Sequence, residues 1–292
     1  MNTIIKIENL TKYYGKFKAL SSLNLDVQSG EIYAFIGPNG SGKTTTIRIL
    51  LGMLNATEGS VEILGKTPTQ NNIELFHDIG YLPGELSTYD NLTGKELLTF
   101  FGNLKNVKDW PYIDSITERL QYDTSKKIKN LSKGNKQKVG IVQAFMKSPK
   151  LLILDEPTGG LDPNLQREFR KLLEEEKHSG TTILLSSHDL LEIQNTCDRV
   201  TIIKDGSVIA SQSKEELNRK SLTKITVTFV ESPEIQEIKK NKSIKNYIRN
   251  EDEFIFYIAG SMNDFVQFLS KYKIEQLYSD TSDLNETLLE YF

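Results

Sequence analysis

The residues Gly37-Pro38-Asn39-Gly40-Ser41-Gly42-Lys43-Thr44 satisfy the pattern G-x-x-x-x-G-K-[ST] at every fixed position. That spacing suits a polyphosphate. Glycines let the backbone curl tightly and approach the anion. The N–H groups of the curled loop form an anion-binding concavity. A helix that starts directly after the loop adds the positive end of its dipole. Lys43 can reach the β- and γ-phosphates, the Thr44 hydroxyl can ligate Mg²⁺, and Thr45 stands beside it at the mouth of the loop.

A second group of candidates ends an apolar run. Leu151-Leu152-Ile153-Leu154 reads as a buried strand and runs into Asp155-Glu156-Pro157. Acids at the C-terminal end of such a strand stand at the sheet edge where ligands bind. Asp155 can hold Mg²⁺ directly or through water, and Glu156 can orient or deprotonate a water. Residues 181–187 form another apolar strand, which ends in His188. That imidazole can donate to a γ-phosphate, or it can serve as a cap or a core residue. Ser132, Lys133 and Gly134 open a helical stretch, where a hydroxyl and free N–H groups suit an anion or an ordinary N-cap. Tyr14, next to Gly15, can stack on an adenine, worth ~1–3 kcal/mol on the scale of base–aromatic stacking, or it can sit as a partly buried loop residue.

These side chains need a scaffold. Residues 31–36 are apolar and rich in β-formers, and residues 44–51 carry apolar residues at helical spacing. Strand, glycine loop and helix is the context that the phosphate pattern requires. Residues 4–8 and 18–27 alternate like strands of an antiparallel sheet, and residues 59–65 form a strand bounded by glycines. From about Leu86 to 147 the periodicity is mainly helical, with a capping box at Thr93 and Glu96 and with Pro111 opening a second helix. Residues 163–177 form a further helix. Residues 198–210 form a strand, a turn at Asp205-Gly206 and a strand.

After residue 213 the pattern changes. A charged connection spans 214–222. Residues 223–292 then read strand, helix, strand, strand, helix, strand, the βαββαβ order of a ferredoxin-like unit. Glu251-Asp252 supplies the hairpin turn. A last amphipathic helix is expected from Asp283, with Leu284, Leu288 and Tyr291 on one stripe. No catalytic constellation appears in this part, which suits a packing or dimer-stabilising appendage or a partner-sensing one.

The chain has 292 residues, 38% of them hydrophobic and 26% charged, which suits a globular protein of one large domain or two smaller ones. A net charge of −3 gives no reason to expect nucleic acid as a partner. The single cysteine, Cys197, excludes an internal disulfide and fits a reducing compartment. One cysteine and three histidines leave little for a zinc site. No apolar run is long enough to cross a bilayer, so a cytoplasmic location is expected.

Read together, these motifs resemble those of the ATP-binding subunit of an ABC transporter. Residues 37–44 resemble Walker A and residues 151–156 resemble Walker B. Leu131–Asn135 resembles the signature motif, although the usual LSGGQ is here LSKGN. Gly160-Leu161-Asp162 resembles the D-loop, His188 the switch histidine, and Tyr14 the adenine-stacking aromatic. The resemblance covers residues 2–213. One departure concerns the segment after Tyr81-Leu82-Pro83, where the family usually has a metal-contacting glutamine and this chain has Gly84-Glu85. Either Glu85 substitutes as a metal or water contact, or that contact is missing.

The resemblance implies an α/β fold of the P-loop NTPase type: a mixed core sheet, an antiparallel β subdomain and a helical subdomain, carried by residues 1–213. It implies ATP and Mg²⁺ as cofactors and hydrolysis as the activity. Each ATP would be sandwiched between the phosphate loop of one copy and Ser132, Lys133, Gly134 and Asp162 of a second copy. A polytopic membrane permease, docked on the helical region after Gly84, would hold the protein on the inner face of the membrane. The stretch 81–86 and the appended C-terminal part point to the single-cassette drug, bacteriocin or sodium exporters. A soluble ATPase of the same superfamily, acting on nucleic acid or ribosomes, is the alternative. Such ATPases usually carry a long coiled coil or two cassettes in one chain.

Overall fold

The computed structural model describes residues 2–86, 89–188, 196–216, 223–259 and 261–280. The chain divides into two compact units, Met1–Ser211 and Gln212–Phe292.

The first unit opens with β1 (Thr3–Tyr14) and β2 (Phe17–Gln28), an antiparallel hairpin. Tyr14 is the last residue of β1 and not part of the loop, because the strand continues to the Gly15 turn. β3 (Ile32–Ile36) follows and is buried along its whole length. The phosphate loop then leads into α1 (Lys43–Leu50), with Gly42 at the N-cap and φ 109°. A residue with a Cβ would be strained in that conformation. β4 (Glu58–Ile63) pairs antiparallel with β1, which gives a three-stranded sheet in the order β2-β1-β4.

Next come α2 (Ile73–His77) and β5 (Ile79–Leu82). α2 has only five residues, too few to show helical periodicity in the sequence. α3 (Gly94–Leu104), α4 (Trp110–Arg119) and α5 (Lys133–Phe145) occupy the stretch of helical patterning. The capping box at Thr93 and Glu96 is present, and Pro111 lies in the first turn of α4. The rest of the unit contains β6 (Leu151–Asp155), α6 (Pro163–His178), β7 (Thr182–Ser187), β8 (Arg199–Lys204) and β9 (Ser207–Ser213).

The core sheet has the order β5-β6-β7-β3-β8-β9, and the pairs from β5 to β8 are parallel. The register sets the site. Ile36 lies opposite Ser187, and Asp155 lies opposite Ser186. The carboxyl ends of β3, β6 and β7 therefore stop side by side, and Gly37, Glu156 and His188 emerge at one edge. Tyr33, Phe35, Ile47, Leu50 and Ile153 belong to the buried core that joins this sheet to β1, β2 and β4.

The second unit contains β10 (Thr223–Phe229), α7 (Ile235–Lys240), β11 (Ile244–Asn250), β12 (Glu253–Ile258), α8 (Met262–Leu269) and β13 (Ile274–Asp280). Its sheet is antiparallel in the order β11-β12-β10-β13. This is the βαββαβ ferredoxin-like arrangement that the alternation implies. Val227, Phe229, Phe254, Phe256 and Phe265 form its separate core. Glu251 makes the hairpin turn with φ 57°. The helix expected from Asp283 lies outside the described residues.

Candidate active site

Lys43 is 6% exposed, and its environment is local. Its ammonium donates to the carbonyls of Gly37 at 2.6 Å and Pro38 at 3.3 Å. It also lies 3.4 Å from Glu156 Oε1. The Ser41 hydroxyl is buried without a hydrogen-bond partner, and Glu156 Oε1 likewise accepts no hydrogen bond. An unpartnered buried polar group costs about 1–3 kcal/mol. A loop that combines an orphaned hydroxyl, a positive helix end and a buried cation fits a phosphate group.

The other wall comes from β6 and β7. Asp155 is 2% exposed and accepts from Thr44 Oγ1 at 3.0 Å and from Ser186 Oγ at 2.5 Å. Glu156 has φ 51°, a left-handed conformation that a non-glycine residue holds only under constraint. Two constraints are visible. Its N–H donates to the Ser186 carbonyl and hydroxyl, each at 3.2 Å. The buried Gln137 amide on α5 donates to the carbonyls of Glu156 at 3.1 Å and Pro157 at 2.9 Å. Turned this way, Glu156 places Oε2 at 2.7 Å from His188 Nδ1 and Oε1 beside Lys43. The acid, the imidazole and the phosphate-loop lysine thus form one chain of contacts.

A cavity of about 560 Å³ opens over these groups. Asn39, Thr44, Asp155, Glu156, His188 and Lys133 all contribute to its lining, and so do Gly84 and Glu85. A Cβ on Gly84 would lie 3.4 Å from Asp155 Oδ2, so the residue directly beside the acid offers no side chain. Glu85 lines the cavity but makes no hydrogen bond or ion pair to Thr44 or Asp155. Tyr81 lies on the same wall. Burial, with help from the Asp155 charge and against Arg48, pushes its hydroxyl up to about 12.

A second, smaller cavity of about 290 Å³ runs along the loop from Asn39 to Thr45, with Tyr14 and Phe17 at its end. Both rings are exposed, at 44% and 65%. The Lys12 ammonium lies 5.5 Å from the Tyr14 ring centre and donates to the Asn55 carbonyl at 2.6 Å.

The remaining sequence candidates lie on helix starts. Ser132 caps α5 and accepts from Asn135 N–H at 3.4 Å. Asp162 caps α6 and accepts from Asn164 and Leu165 N–H at 2.9 and 3.1 Å. Gly134 packs on the loop before α6, where a Cβ would meet the Gly160 carbonyl at 2.2 Å. Within one chain these two helix starts support each other, and of the stretch Ser132 to Gly134 it is Lys133 that lines the large cavity.

Three contributors escape a reading by motif. Gln137 is a polar residue on the buried face of α5, Ser186 a hydroxyl in an apolar strand, and Phe17 an exposed aromatic across the turn from Tyr14. Polarity at a position that the pattern reserves for apolar residues was the available signal for the first two.

Among the described residues no three His, Cys, Asp or Glu side chains cluster as metal ligands. Mg²⁺ needs no such cluster, since it binds one or two carboxylates and takes its other ligands from phosphates and water. Asp155 with the Thr44 hydroxyl is that kind of donor set.

Known proteins are similar to this chain. The ABC transporter family model matches residues 20–159. The bacitracin transport ATP-binding protein BcrA of Bacillus licheniformis is 41% identical over 76% of this chain and 73% of its own length. The ABC transporter ATP-binding protein MJ1023 of Methanocaldococcus jannaschii is 37% identical over 96% of this chain and all of its own length. Among solved structures, the dimeric structure of MJ0796, a bacterial ABC transporter cassette, superposes with a TM-score of 0.66 at 26% identity, covering 72% of this chain and 99% of that one. With the family model and these relatives covering most of it, the chain belongs to the ATP-binding, ATP-hydrolysing proteins of ABC transporters.

Proposed function

We propose that this chain powers an exporter by binding ATP between two copies of itself and hydrolysing it there. The observation that carries the reading is the constrained Glu156. It is held in a left-handed turn by Gln137 and Ser186, with one oxygen on His188 and the other beside Lys43. A carboxylate fixed in this way can hold a water in line with a phosphate seated on Lys43, and His188 keeps it oriented. Asp155 and Thr44 would hold Mg²⁺, which neutralises charge on the β- and γ-phosphates when bound. Gly37, Pro38, Asn39, Gly40, Ser41, Gly42 and Thr45 cradle the phosphates, and Tyr14 stacks on the base. Glu85 faces the metal side of the cavity. Ser132, Lys133, Gly134 and Asp162 meet the nucleotide of the facing copy.

A membrane permease is the partner that this reading requires. Among the described residues, no helix is long and apolar enough to cross a membrane. A groove of about 330 Å³ between α1, β5 and the helical region offers a seat, with Met53, Leu86, Leu97, Phe101, Ile128 and Val139 on its walls. Tyr89, Phe100 and Phe101 gather at its rim with ring centres 5.4–6.1 Å apart. An apolar segment of a polytopic membrane subunit fits this surface. Docked there, the protein sits on the cytoplasmic side of the membrane. The likeness to a bacitracin transport protein favours export, and residues 223–292 form an accessory unit.

The test is a pair of variants. Glu156→Gln keeps every phosphate contact, so it should bind Mg-ATP, lose ~10²–10⁴-fold in hydrolysis and run as a dimer in ATP. Lys43→Ala should lose hydrolysis and stay monomeric. A Glu156→Gln protein that binds ATP yet remains monomeric would overturn the sandwich.

A further inference from the structure

The sheet of the second unit has two faces, and strand alternation assigns them. Val227, Phe229, Phe254 and Phe256 lie on one face and pack with Ile238 of α7 and Phe265 of α8. The register defines the other. Ile248 lies opposite Ile255, Ile255 opposite Thr226, and Thr226 opposite Tyr278. These four residues form one cross-strand row that runs over all four strands. The neighbouring rows are more polar, with Lys224 and Asp280 on one side and Glu253 and Gln276 on the other. Ile248 and Tyr278 are 45% and 59% exposed, so the row meets water at both ends. A sheet face with an apolar row is buried by packing another element on it.

The residues that follow β13 carry a matching pattern. At helical spacing, Leu284, Leu288 and Tyr291 share one stripe, and Glu286 and Glu290 fall on the opposite side. The dimensions agree. The stripe is ~10 Å long at ~1.5 Å per residue. Three strand spacings, ~14 Å in all, separate β13 from β11, and side chains at the two ends of the stripe close the difference. The connection is short as well. β13 is an edge strand, and its last residue, Asp280, lies opposite Lys224 on this face. Only residues 281–283 separate it from the stripe. A tether of that length gives the segment a local concentration of about millimolar, which a second copy at micromolar concentration does not match.

We propose that residues 283–292 form an amphipathic helix that docks across the exposed face of their own sheet, with Leu284 near Tyr278 and Tyr291 over Ile248. The second unit then carries a helical layer on both faces. The row from Ile248 to Tyr278 is withdrawn from any second copy, and two copies that meet through ATP do so without this face.

The experiment uses the full chain with Asn246→Cys on β11 and Tyr291→Cys introduced together, treated with a short bis-maleimide at low protein concentration. Cys197 is fully buried and does not compete. A cross-link within one chain is expected, and Leu288→Asp added to the pair should abolish it. Glu286→Gln, on the opposite side of the stripe, should leave it intact. Links between two chains would assign the face to a second copy, and no link with both thiols reactive would leave it bare. Either result overturns the proposal. So does a link from Tyr291→Cys to Gln267→Cys on α8, which would put the segment on the helix-covered side. If the paired variant does not fold, Leu288→Asp in the otherwise native chain should increase the fluorescence of a dye that binds exposed apolar surface. Dye fluorescence equal to that of the native chain would overturn the proposal as well.

Discussion

Gln137→Leu is the most informative perturbation of the site, because Gln137 touches neither phosphate-loop residue nor metal ligand. Its side chain is buried at 4% exposure and donates to the Glu156 and Pro157 carbonyls at 3.1 and 2.9 Å. Leucine has a similar volume and no donor, so the change removes two hydrogen bonds without opening a cavity. The Glu156 carbonyl keeps the Gly159 N–H at 3.3 Å, so the Pro157 carbonyl is the one left without its donor, at a cost of about 1–3 kcal/mol. The loop after β6 can shift and recover part of this from water while the lost bond to Glu156 adds to it, which leaves a loss of about 1–3 kcal/mol. At roughly 2–4 °C per kcal/mol for a unit of this size, the melting temperature should fall by about 2–12 °C.

The functional consequence is sharper. Without Gln137, the left-handed Glu156 loses one of its two visible constraints, and a misplacement of ~1 Å near the reacting atoms costs ~10²-fold. kcat should therefore fall by roughly 10–10²-fold while KM for ATP stays close to wild type, because Lys43 and the loop are unaltered. Thermal melts and steady-state ATPase assays below the lowered melting point test both halves. A protein that melts as wild type would refute the hydrogen-bond argument. A destabilised protein with unchanged kcat would refute the positioning of Glu156 by Gln137.

Two further outcomes are expected. Glu85 lines the same cavity as Asp155, so Glu85→Ala should raise the Mg²⁺ concentration for half-maximal activity, and an unchanged titration would place Glu85 outside the metal's reach. Arg119 on α4 bonds Glu168 at 2.7 Å and Glu175 at 2.6 and 2.8 Å on α6, and its hydrogen bond holds Glu168 below the ordinary value of 4.5. A depressed carboxylate adds stability that is present above about pH 4.5 and lost as pH falls through its folded value. Arg119→Met should thus cost about 1 kcal/mol near neutral pH and little near pH 3 by urea unfolding, and an equal loss at both pH values would refute the pair's role.

The phosphate loop was legible from the sequence because its chemistry is local. Gly37 to Thr44 must be contiguous to curl around a phosphate, and the flanking strand and helix announce themselves by period. The same holds for Asp155 and Glu156, which follow directly on an apolar strand, and for the βαββαβ unit, whose alternating Phe and Ile positions specify one buried sheet face. The sequence also shows Lys133 standing where the family pattern has glycine.

Only the tertiary structure decided how these parts meet. The register of β6 on β7 brings Ser186 onto Asp155, residues 31 apart in the chain, and no short-range pattern encodes that pairing. Gln137 looks like one more polar residue in a basic helix until α5 packs with it facing the Glu156 carbonyl. Glu156 looks like any solvated strand-end acid until its left-handed turn aims it at His188 and Lys43 together. Asp162 and Ser132 read as ligand contacts by motif, yet within one chain they cap helices, because the unsatisfied N–H groups of a helix start are the nearest donors. Local spacing determines which chemistry the chain carries. Packing between distant segments determines where each side chain points, since burial and hydrogen-bond satisfaction act over contacts that the linear order does not contain.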